Sequence, residues 1–501
     1  MNFKDICRIL NDDENFIFSS FNGADCEVAG VCFDSREVTE GNVFVAISGV
    51  RTNGHLFVGK AIELGASVIV CESKEYYESF ISEYQNTSFI LVCEARRALA
   101  LISKHFYGLA CDKLSVIGIT GTKGKTSTSF MIAEILNSYG FRCGIIGTTG
   151  AYFEDFYHEM DHSTPESRDL HKLFSKMLSL GATHIVMEVS SQALMMHRVY
   201  GIRFSVGIFT NISPDHIGEG EHKDFEDYLF HKSRLFTMCD KAVINADADR
   251  CEDVLKVCRE NGINAVTYSC KDTADYKAYG EKFYIDGGMK THFELDGKDG
   301  FISSVEVNVP GKFSVFNALC AISVCMTMGA DVESVKKALS RVKVIGRIEP
   351  VEHPLLRAPV IIDYAHNAMS LESLFTAVRA YNPKRIICVF GCGGNRSKLR
   401  RYEMGDISGR YADLSIITAD NSRFEELDDI ISDILVGMGK TQGKYEIVKD
   451  RKDAIYRAIE LSQEGDIVLL AGKGQETYLD VKGVKTHFDE REVVKSYFDR
   501  A

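Results

Sequence analysis

Residues 118–129, GITGTKGKTSTS, combine glycine, lysine and hydroxyl side chains at a spacing that suits phosphate binding. They contain the Gly-Lys-Thr ending of the phosphate-binding loop G-x-x-x-x-G-K-[ST], but isoleucine stands at 119, where that pattern has its first glycine. In such a loop backbone N–H groups surround phosphate oxygens, Lys125 reaches the β- and γ-phosphates, and the Thr126 hydroxyl binds Mg²⁺. The spacing therefore predicts a nucleoside triphosphate site, and the alternative is a chance glycine turn.

The elements around this loop support that prediction. The apolar run LSVIGIT precedes the loop and a helical pattern that stops at Gly140 follows it, so the loop joins a buried strand to a helix N-terminus. The runs CGIIG, HIVMEVS, FSVGIFTNI and AVINA are further buried-strand candidates with helices between them. This alternation is typical of a parallel sheet that is covered on both faces.

Three more side chains in this region have chemistry that a nucleotide site requires. Glu188 ends the run HIVMEVS, His216 follows the next strand, and Lys232 lies in the helical stretch DFEDYLFHKSRLF. Because parallel strands end at one edge of a sheet, we expect Glu188 beside the loop, where a carboxylate completes a Mg²⁺ shell. Taken singly, each residue also has a common structural interpretation: a solvated strand-end acid, a structural histidine and a lysine extended to solvent.

The rest of the chain predicts an α/β protein of three domains. Residues 1–110 form a small α/β N-terminal domain, and residues 111–343 form the central domain with its P-loop ATPase-like parallel sheet. Four strand-then-loop units, PVIIDYAHN, RIICVFGCGG, LSIITADN and DIVLLAGKG, lie in residues 344–501. They predict a doubly wound, Rossmann-like C-terminal domain whose ligands bind beyond the strand ends.

Composition limits the class of protein. Of the 501 residues 45% are hydrophobic and 26% charged, which is typical of a soluble globular protein. The net charge of −13 argues against nucleic acid as a partner, since phosphate neutralisation needs a basic surface. The 15 cysteines form no CxxC pair, which favours reduced thiols over a disulfide framework. With no signal pattern and no apolar run of about 18 residues, we expect a cytoplasmic protein without a membrane partner.

The motifs of the chain, taken in order, resemble those of the Mur ligase family over essentially the whole sequence. The family's loop reads G-x-x-G-T-N-G-K-[TS], so Gly118 takes the place of its first glycine and Lys123 replaces the usual asparagine. The resemblance is strongest to the members that add the third amino acid of the peptidoglycan stem peptide. It implies ATP as substrate, bound in this loop by Gly121, Thr122, Lys123, Gly124, Lys125, Thr126 and Ser127.

Other motifs resemble the parts of these ligases that bind UDP-N-acetylmuramoyl-dipeptide. DSREVTEGNVFVAISG at 34–49 places Ser35 at the UDP part of that substrate. HSTPE at 162–166 resembles N-T-T-P-E, and EVSSQALMMHR at 188–198 resembles E-V-S-S-H-A-L-x-x-x-R. These two motifs imply that the peptide is held by Ser163, Thr164, Ser190 and Arg198. Gln192 stands where histidine is usual, and its role is left open.

The resemblance also implies the catalytic and metal-binding residues. Two Mg²⁺ ions are expected, with Thr126, Glu188, His216 and a carbamylated Lys232 as ligands. Carbamylation turns a neutral amine and CO₂ into a carboxylate-like ligand, and it needs a lysine whose pKa is lowered by burial. Lys125 and His366 complete the expected catalytic set.

The second half of the chain adds nucleotide and amino-acid contacts by the same resemblance. GKFSVFNALCA, IGRIEP and DYAHN imply nucleotide contacts from Asn317, Arg347, Asp363 and His366. GCGGNRSKLRR, DNSRFE and GKGQET imply an amino-acid site built from Arg396, Asp420, Asn421, Arg423, Gly472 and Glu476.

The identity of the added amino acid rests on Arg423. In the family this arginine grips the distal carboxylate of meso-diaminopimelate, which L-lysine lacks, and Glu476 can hold the distal ammonium group. Ser422 and Gln475 depart from the usual motifs, and the segment ISPDHIGEGEH resembles lysine-adding members. The sequence favours meso-diaminopimelate, because a buried unpaired arginine is costly, with L-lysine as the alternative.

The expected reaction is ATP-dependent amide formation through an acyl phosphate, carried out by a monomer. Two other functions stay open at this point: a folate polyglutamylating or cyanophycin-type ligase of the same build, and a nucleotide-dependent regulatory or binding protein.

Overall fold

The computed structural model describes residues 1–21, 27–49, 52–218, 220–286, 289–298 and 302–499. The chain forms two compact units, residues 1–268 and residues 269–501. The boundary between the units lies inside the segment 111–343 that the sequence predicts as one central domain. The bounds of the three predicted domains therefore stay a prediction.

The first unit opens with a five-stranded sheet of order β1-β5-β4-β3-β2, in which only β1 is antiparallel to its neighbour. Strands β3 to β5 are buried along their whole length, as expected for parallel strands that carry helices on both faces. The elements are α1 (Phe3–Asp12), β1 (Phe16–Ser20), β2 (Gly30–Cys32), β3 (Asn42–Val45), α2 (Val58–Glu63), β4 (Val68–Cys71), α3 (Lys74–Glu83), β5 (Ser88–Val92), α4 (Ala95–Phe106) and α5 (Ala110–Lys113).

The central sheet of the same unit has the order β13-β12-β11-β6-β10-β7-β8-β9. It is parallel from β13 to β7, while β8 and β9 continue as antiparallel strands. The elements are β6 (Ser115–Thr120), α6 (Lys125–Tyr139), β7 (Cys143–Gly147), β8 (Gly150–Phe153), β9 (Phe156–His158), α7 (Ser167–Ser179), β10 (His184–Glu188), α8 (Ser191–Met195), β11 (Phe204–Phe209), α9 (Phe225–Ser233), β12 (Cys239–Asn245), α10 (Cys251–Glu260) and β13 (Asn264–Ser269).

The register of the central sheet brings the predicted site residues together. Glu188, the last residue of β10, pairs with Ile119 near the end of β6, and Phe209 at the end of β11 pairs with Thr120. The loop after β6, the turn after β7 and the end of β10 therefore meet at one carboxyl edge, where ligands of open parallel sheets bind.

The second unit contains an antiparallel sheet of order β16-β15-β14, a sheet of order β17-β18-β22-β19-β20-β21, and the hairpin β23-β24. Its elements are β14 (Tyr276–Ile285), β15 (Met289–Asp296), β16 (Ile302–Val307), α11 (Lys312–Thr327), α12 (Val332–Leu339), β17 (Glu349–Val351), β18 (Val360–Asp363), α13 (Ala368–Arg379), β19 (Ile386–Phe390), α14 (Lys398–Tyr411), β20 (Leu414–Ile417), α15 (Leu427–Met438), β21 (Tyr445–Ile447), α16 (Arg451–Leu461), β22 (Ile467–Ala471), β23 (Tyr478–Val481), β24 (Val484–His487) and α17 (Glu490–Phe498).

In the larger of these sheets all strands except the edge strand β17 are parallel. One apolar cluster packs α13, α14 and α15 on one face, and another packs α16 and α17 on the other. The four predicted strand-then-loop units are β18, β19, β20 and β22, so the predicted doubly wound sheet is confirmed. Asp363 ends β18, and the loops after β19, β20 and β22 carry residues 391–396, 420–423 and 472–476 to the same carboxyl edge.

Among the described residues no helix combines the length and the apolar character that crossing a membrane requires.

Candidate active site

The loop after β6 is a tight turn at the N-terminus of α6. Gly121 and Gly124 have φ angles of 147° and 86°, which suit glycine, and a Cβ on Gly121 would collide with Thr210 Oγ1. Gly118 has a different role, because it lies inside β6, where a Cβ would come within 2.8 Å of the Phe204 ring. The motif thus has two turn glycines and one packing glycine.

The backbone of Lys123, rather than its exposed side chain, anchors the loop. Its N–H donates to Asn211 Oδ1 at 2.9 Å, and its carbonyl accepts from Asn211 Nδ2 at 2.9 Å and from Thr210 Oγ1 at 2.8 Å. These contacts are independent of the side chain at 123, which explains why lysine is accommodated where the family has asparagine. Lys125 folds across the loop, its ammonium donating to the carbonyls of Gly121 at 2.8 Å and Thr122 at 3.1 Å.

Glu188 is held in place by three donors. Its Oε1 accepts from the Thr126 hydroxyl at 2.8 Å and from the Thr148 N–H at 3.0 Å, and its Oε2 accepts from the Thr148 hydroxyl at 3.0 Å. A Cβ on Gly147 would stand 2.6 Å from Oε1, so a glycine at the end of β7 makes room for the carboxylate. The hydroxyl and carboxylate that the sequence predicts as Mg²⁺ ligands are therefore already adjacent.

Lys232 is buried, with 2% of its surface exposed. Its amine donates to the Gly121 carbonyl at 2.8 Å, the same oxygen that Lys125 contacts, and lies 4.5 Å from the centre of the Tyr228 ring. Burial, with the nearby Lys125 charge, lowers the pKa of Lys232 well below its ordinary value. The prediction of a lysine with a depressed pKa at this position agrees with the structure.

His216 lies on the loop between β11 and α9. Its side chain is half exposed, its backbone has φ 53°, and its Nδ1 lies 3.1 Å from Glu221 Oε1. The His216 ring is 6.2 Å from the ring of Tyr228, whose hydroxyl lies 3.2 Å from Thr122 Oγ1 in the loop after β6. Burial raises the pKa of Tyr228 to about 12, so this hydroxyl stays protonated.

The predicted peptide-binding residues lie beside Glu188. The buried Thr164 hydroxyl donates to the Glu188 carbonyl at 3.0 Å and accepts from the Ser190 N–H at 3.1 Å. Arg198 donates to the Thr164 carbonyl at 3.0 Å and pairs with Glu166 at 2.9 Å. Thr164 therefore braces the peptide-binding segment against the end of β10.

One cavity of about 240 Å³ joins these groups. It brings together some members of each predicted set of the first unit: nucleotide, metal and peptide residues. Its lining includes Lys125, His162, Ser163, Glu188, Ser190, Ser191, Gln192, Arg198, His216 and Lys232. Ser35 of this unit does not line the cavity and is buried in a short 3₁₀ turn, in which the Asp34 side chain accepts from the Arg36 N–H.

In the second unit the predicted nucleotide contacts cluster at the end of β18. Asp363 accepts from the N–H groups of Ile348 and Ala365, each at 2.8 Å, and burial raises the pKa of its carboxyl. The Arg347 guanidinium lies 4.8 Å from the centre of the Tyr364 ring. The exposed His366 ring lies 4.6 Å from that same ring, so Tyr364 links both side chains. Asn317 is half-buried on α11.

The predicted amino-acid site contains a buried polar network. The Lys473 ammonium is fully buried and donates to Asn421 Oδ1 at 3.2 Å and Glu476 Oε2 at 3.0 Å. Asn421 also donates to that Glu476 oxygen at 2.9 Å and accepts from the Asp480 N–H at 3.0 Å. The network fixes the loops after β20 and β22 to each other.

Arg396 and Arg423 flank the glycine turn after β19. A Cβ on Gly393 would stand 3.1 Å from Arg423 Nη1 and 3.9 Å from Arg396 Cγ. Arg423 has φ 50° and donates to the Gly394 carbonyl at 2.7 Å, whereas Arg396 is exposed. The two guanidinium-bearing residues that the sequence predicts for carboxylate binding are thus neighbours.

A fully buried ion pair lies beneath the loops at the carboxyl edge of this sheet. Arg451 pairs with Glu490 at 2.8 Å and donates to the carbonyls directly preceding Asp420 and Gly472, at 3.0 and 2.9 Å. A Cβ on Gly472 would come within 2.8 Å of Asp420 Oδ2, so these two predicted site residues are adjacent.

Comparison with known proteins agrees with this geometry. Residues 27–107 match the Mur ligase family catalytic domain, residues 119–325 the Mur ligase middle domain, and residues 346–474 the Mur ligase glutamate ligase domain. A relative from Clostridium tetani (strain Massachusetts / E88), named UDP-N-acetylmuramoyl-L-alanyl-D-glutamate--2,6-diaminopimelate ligase, is 39% identical over 502 residues, which cover 100% of this chain and 99% of the relative. The chain belongs to the Mur ligase family.

A second relative and a solved structure are also similar to this Mur ligase over nearly its whole length. A relative of the same name from Caldanaerobacter subterraneus subsp. tengcongensis is 41% identical over 470 residues, which cover 94% of each chain. A solved structure of a UDP-N-acetylmuramoyl-L-alanyl-D-glutamate--2,6-diaminopimelate ligase is 27% identical, covers 100% of this chain and 99% of that chain, and has a TM-score of 0.70. The predicted α/β architecture with N-terminal, central and C-terminal parts is confirmed.

Sequence reasoning missed several residues of the Mur ligase site. Thr148 and Asn211 bear no charge, and only the fold brings Thr148 to Glu188 and Asn211 to the loop after β6. A signal for Thr148 exists in the GTTG turn at the end of a buried strand. Lys473 is part of the quoted GKGQET motif, whereas nothing in the local sequence marks Arg451 as a buried brace.

Proposed function

We propose that the protein is an ATP-dependent amide ligase that adds meso-2,6-diaminopimelate to UDP-N-acetylmuramoyl-L-alanyl-D-glutamate. The observation that carries this proposal is the cavity that joins Lys125 and Glu188 to the peptide-binding residues Ser163, Ser190 and Arg198. The names of relatives that match along the whole chain support the choice of substrates.

The reaction has two steps. The terminal carboxylate of the muramoyl-dipeptide attacks the γ-phosphorus of ATP, and ADP leaves, which gives an acyl phosphate. The neutral amine of diaminopimelate then attacks the acyl carbon, phosphate leaves, and the nitrogen loses its proton. Because a carboxylate must approach a triphosphate, Lys125 neutralises charge in the first step, and the N–H groups of residues 121–127 hold the phosphates.

The side chains present fit Mg²⁺. Thr126 and Glu188 offer oxygen ligands 2.8 Å apart, which is the donor chemistry that Mg²⁺ prefers. We assign a second ion to His216 and to a carbamate on Lys232, whose depressed pKa favours the neutral amine that adds CO₂. When bound, Mg²⁺ supplies charge neutralisation at the phosphates.

The second unit supplies the amino-acid site in this proposal. A planar guanidinium matches a carboxylate through two hydrogen bonds, so we assign Arg423 to the distal carboxylate of diaminopimelate and Arg396 to its other carboxylate. Asn421 and Lys473 hold Glu476 in place, and Glu476 is assigned to the distal ammonium group. We assign Asn317, Arg347, Asp363 and His366 to the nucleotide, and Ser35 to the UDP group.

We further propose that the protein acts in the cytoplasm as a monomer, without nucleic acid or membrane as a partner. Its net charge of −13 disfavours nucleic acid. UDP-linked precursors and ATP are cytoplasmic substrates in this assignment.

The decisive experiment incubates the protein with ATP, Mg²⁺ and UDP-N-acetylmuramoyl-L-alanyl-D-glutamate. Parallel reactions add meso-diaminopimelate, L-lysine or no amino acid, and the products are followed by mass spectrometry and phosphate release. We expect one amide product, one phosphate per product, and a strong preference for meso-diaminopimelate.

Each other outcome identifies an alternative. Preference for L-lysine would replace the proposed amino acid and remove the role of Arg423. Phosphate release that ignores both substrates would favour a nucleotide-dependent regulatory protein. Amide formation only with a folate or another acceptor would point to a different ligase of the same fold.

A further inference from the structure

A cluster of potential metal ligands lies outside the residues assigned above. His222, Asp227 and His231 place one ligand atom each within 4.8 Å of the others. His222 Nδ1 lies 3.0 Å from Asp227 Oδ2, and His231 Nε2 lies 3.6 Å from Asp227 Oδ1. The proposed reaction uses none of these three side chains.

The local sequence H-x4-D-x3-H produces this cluster. Asp227 and His231 are four residues apart on α9, so their side chains share one helix face. His222 returns to that face because its N–H donates to the His216 carbonyl at 3.0 Å and its carbonyl accepts from the Gly218 N–H at 3.1 Å. The His222 and His231 rings then lie with their centres 5.4 Å apart.

His222 is oriented by a partner from another element. Its fully buried ring has Nε2 2.9 Å from Ser191 Oγ, at the start of α8, which leaves Nδ1 directed at Asp227. Metal-binding histidines ordinarily have such a hydrogen bond on the second ring nitrogen, which fixes the ring orientation. The Asp227 and His231 side chains are 20% and 14% exposed, so an ion has access from solvent.

The donor set selects a class of ion. Two imidazoles and one carboxylate suit Zn²⁺ and its first-row neighbours, whereas Mg²⁺ prefers oxygen ligands only. Zinc bonds of about 2.0–2.2 Å in a tetrahedron separate ligand atoms by roughly 3.3–3.5 Å. His222 Nδ1 lies 3.0 Å from Asp227 Oδ2 and His231 Nε2 lies 3.6 Å from Asp227 Oδ1, so the two rings face different oxygens of one carboxylate. Since one ligand atom from each residue lies within 4.8 Å of the others, side-chain rotations alone bring the three to the tetrahedral separation.

We propose that His222, Asp227 and His231 bind one divalent transition-metal ion of the zinc class, separate from the Mg²⁺ ligands assigned above. The ion joins α9 to the loop that carries His216. Through His222 it also positions Ser191, which lines the cavity. The proposal does not rest on the identity of the amino acid or on ligase activity.

The test uses the full chain without a histidine tag, stripped of metal and kept in excess Mg²⁺. Titration with Co²⁺ is followed by its visible absorption, and titration with Zn²⁺ by calorimetry. We expect one equivalent to bind, and saturating Zn²⁺ to raise Tm by about 2–4 °C. His231→Gln and Asp227→Asn should each weaken binding by about 10–100-fold. Two variants are used so that one can misfold without loss of the test.

Two matched variants distinguish this cluster from a surface histidine and from the magnesium site. His158→Gln removes an exposed histidine at the end of β9 and should leave both titrations unchanged. His216→Gln removes a proposed ligand of the magnesium site and should also leave one equivalent bound. The proposal is overturned if the wild type binds no stoichiometric Co²⁺ or Zn²⁺, if the ligand variants bind as tightly as the wild type, or if binding disappears in His216→Gln.

Discussion

The carboxyl edges of the two large parallel sheets differ in how their functional residues are held. At the central edge three of the proposed phosphate and metal groups are enclosed, since Thr126, Glu188 and Lys232 are 8%, 1% and 2% exposed, whereas His216 on its loop is half exposed. At the C-terminal edge the groups beneath are buried, as Lys473 is, but Arg396 at the tip of its loop is exposed. The first edge therefore encloses its groups around Glu188, and the second encloses only the groups beneath its loop tips.

This difference follows from what each edge has to do in the proposed reaction. Phosphate chemistry needs donors and ligands at set positions in a site of low dielectric, because electrostatic stabilisation is strongest there. Choice of an amino acid needs side chains that reach a substrate from loop tips, and loops tolerate variation that a packed sheet edge does not. Substitutions at the two edges should therefore affect different kinetic parameters.

The largest effect is expected at Lys125. Lys125→Met removes the charge that the motif places at the phosphates and that lines the cavity, and kcat should fall by about 1,000-fold. The measurement is product formation at saturating ATP. Lys123→Met is the matched control, since the side chain at 123 is exposed and the loop is anchored through its backbone, and its activity should stay within about twofold of wild type. If Lys125→Met and Lys123→Met lost the same amount of activity, the role of Lys125 at the enclosed central edge would be contradicted.

Lys232 gives the next largest effect. Lys232→Arg keeps a cation that cannot become a carbamate, so kcat should fall by about 100-fold while ATP still binds. Burial lowers the pKa of Lys232, which raises the fraction of neutral amine at any given pH, so carbamate should form at a lower pH than on an exposed lysine. Wild-type activity should therefore fall when CO₂ and bicarbonate are removed and return when bicarbonate is restored. An activity indifferent to bicarbonate would remove the carbamate from the mechanism.

Some residues of the two edges could be predicted from the sequence and others could not, for a physical reason. Buried strands, turn glycines and the Gly-Lys-Thr ending leave a local pattern, so β6, its loop and the four C-terminal strands could be placed from the chain alone. Thr148 and Asn211 act through contacts between strands distant in sequence, and their types signal no chemistry. Gly118 matched a motif position, yet packing against Phe204 rather than a turn explains it.

At the C-terminal edge Arg423 provides the sharpest test of specificity. Arg423→Lys keeps the charge but loses the planar fork, so kcat/KM for meso-diaminopimelate should fall by about 30-fold. KM for ATP should stay unchanged, because the central edge is intact. Arg410→Lys, which changes an exposed arginine on α14, is the matched control and should leave both parameters unchanged. A variant that lost activity equally with meso-diaminopimelate and L-lysine would argue for a structural role of Arg423.

The smallest effect is expected at Thr148, which holds the Glu188 carboxylate in place. Thr148→Val removes the hydroxyl that donates to Glu188 Oε2 but keeps the N–H that donates to Oε1, so kcat should fall about 10-fold and the Mg²⁺ requirement should rise. Thr149→Val is the matched control, because the buried Thr149 hydroxyl has no hydrogen-bond partner among the described residues. If both variants responded alike to Mg²⁺, packing around Gly147 would hold the Glu188 carboxylate in place. The central edge would then be enclosed by steric contacts and not by hydrogen bonds.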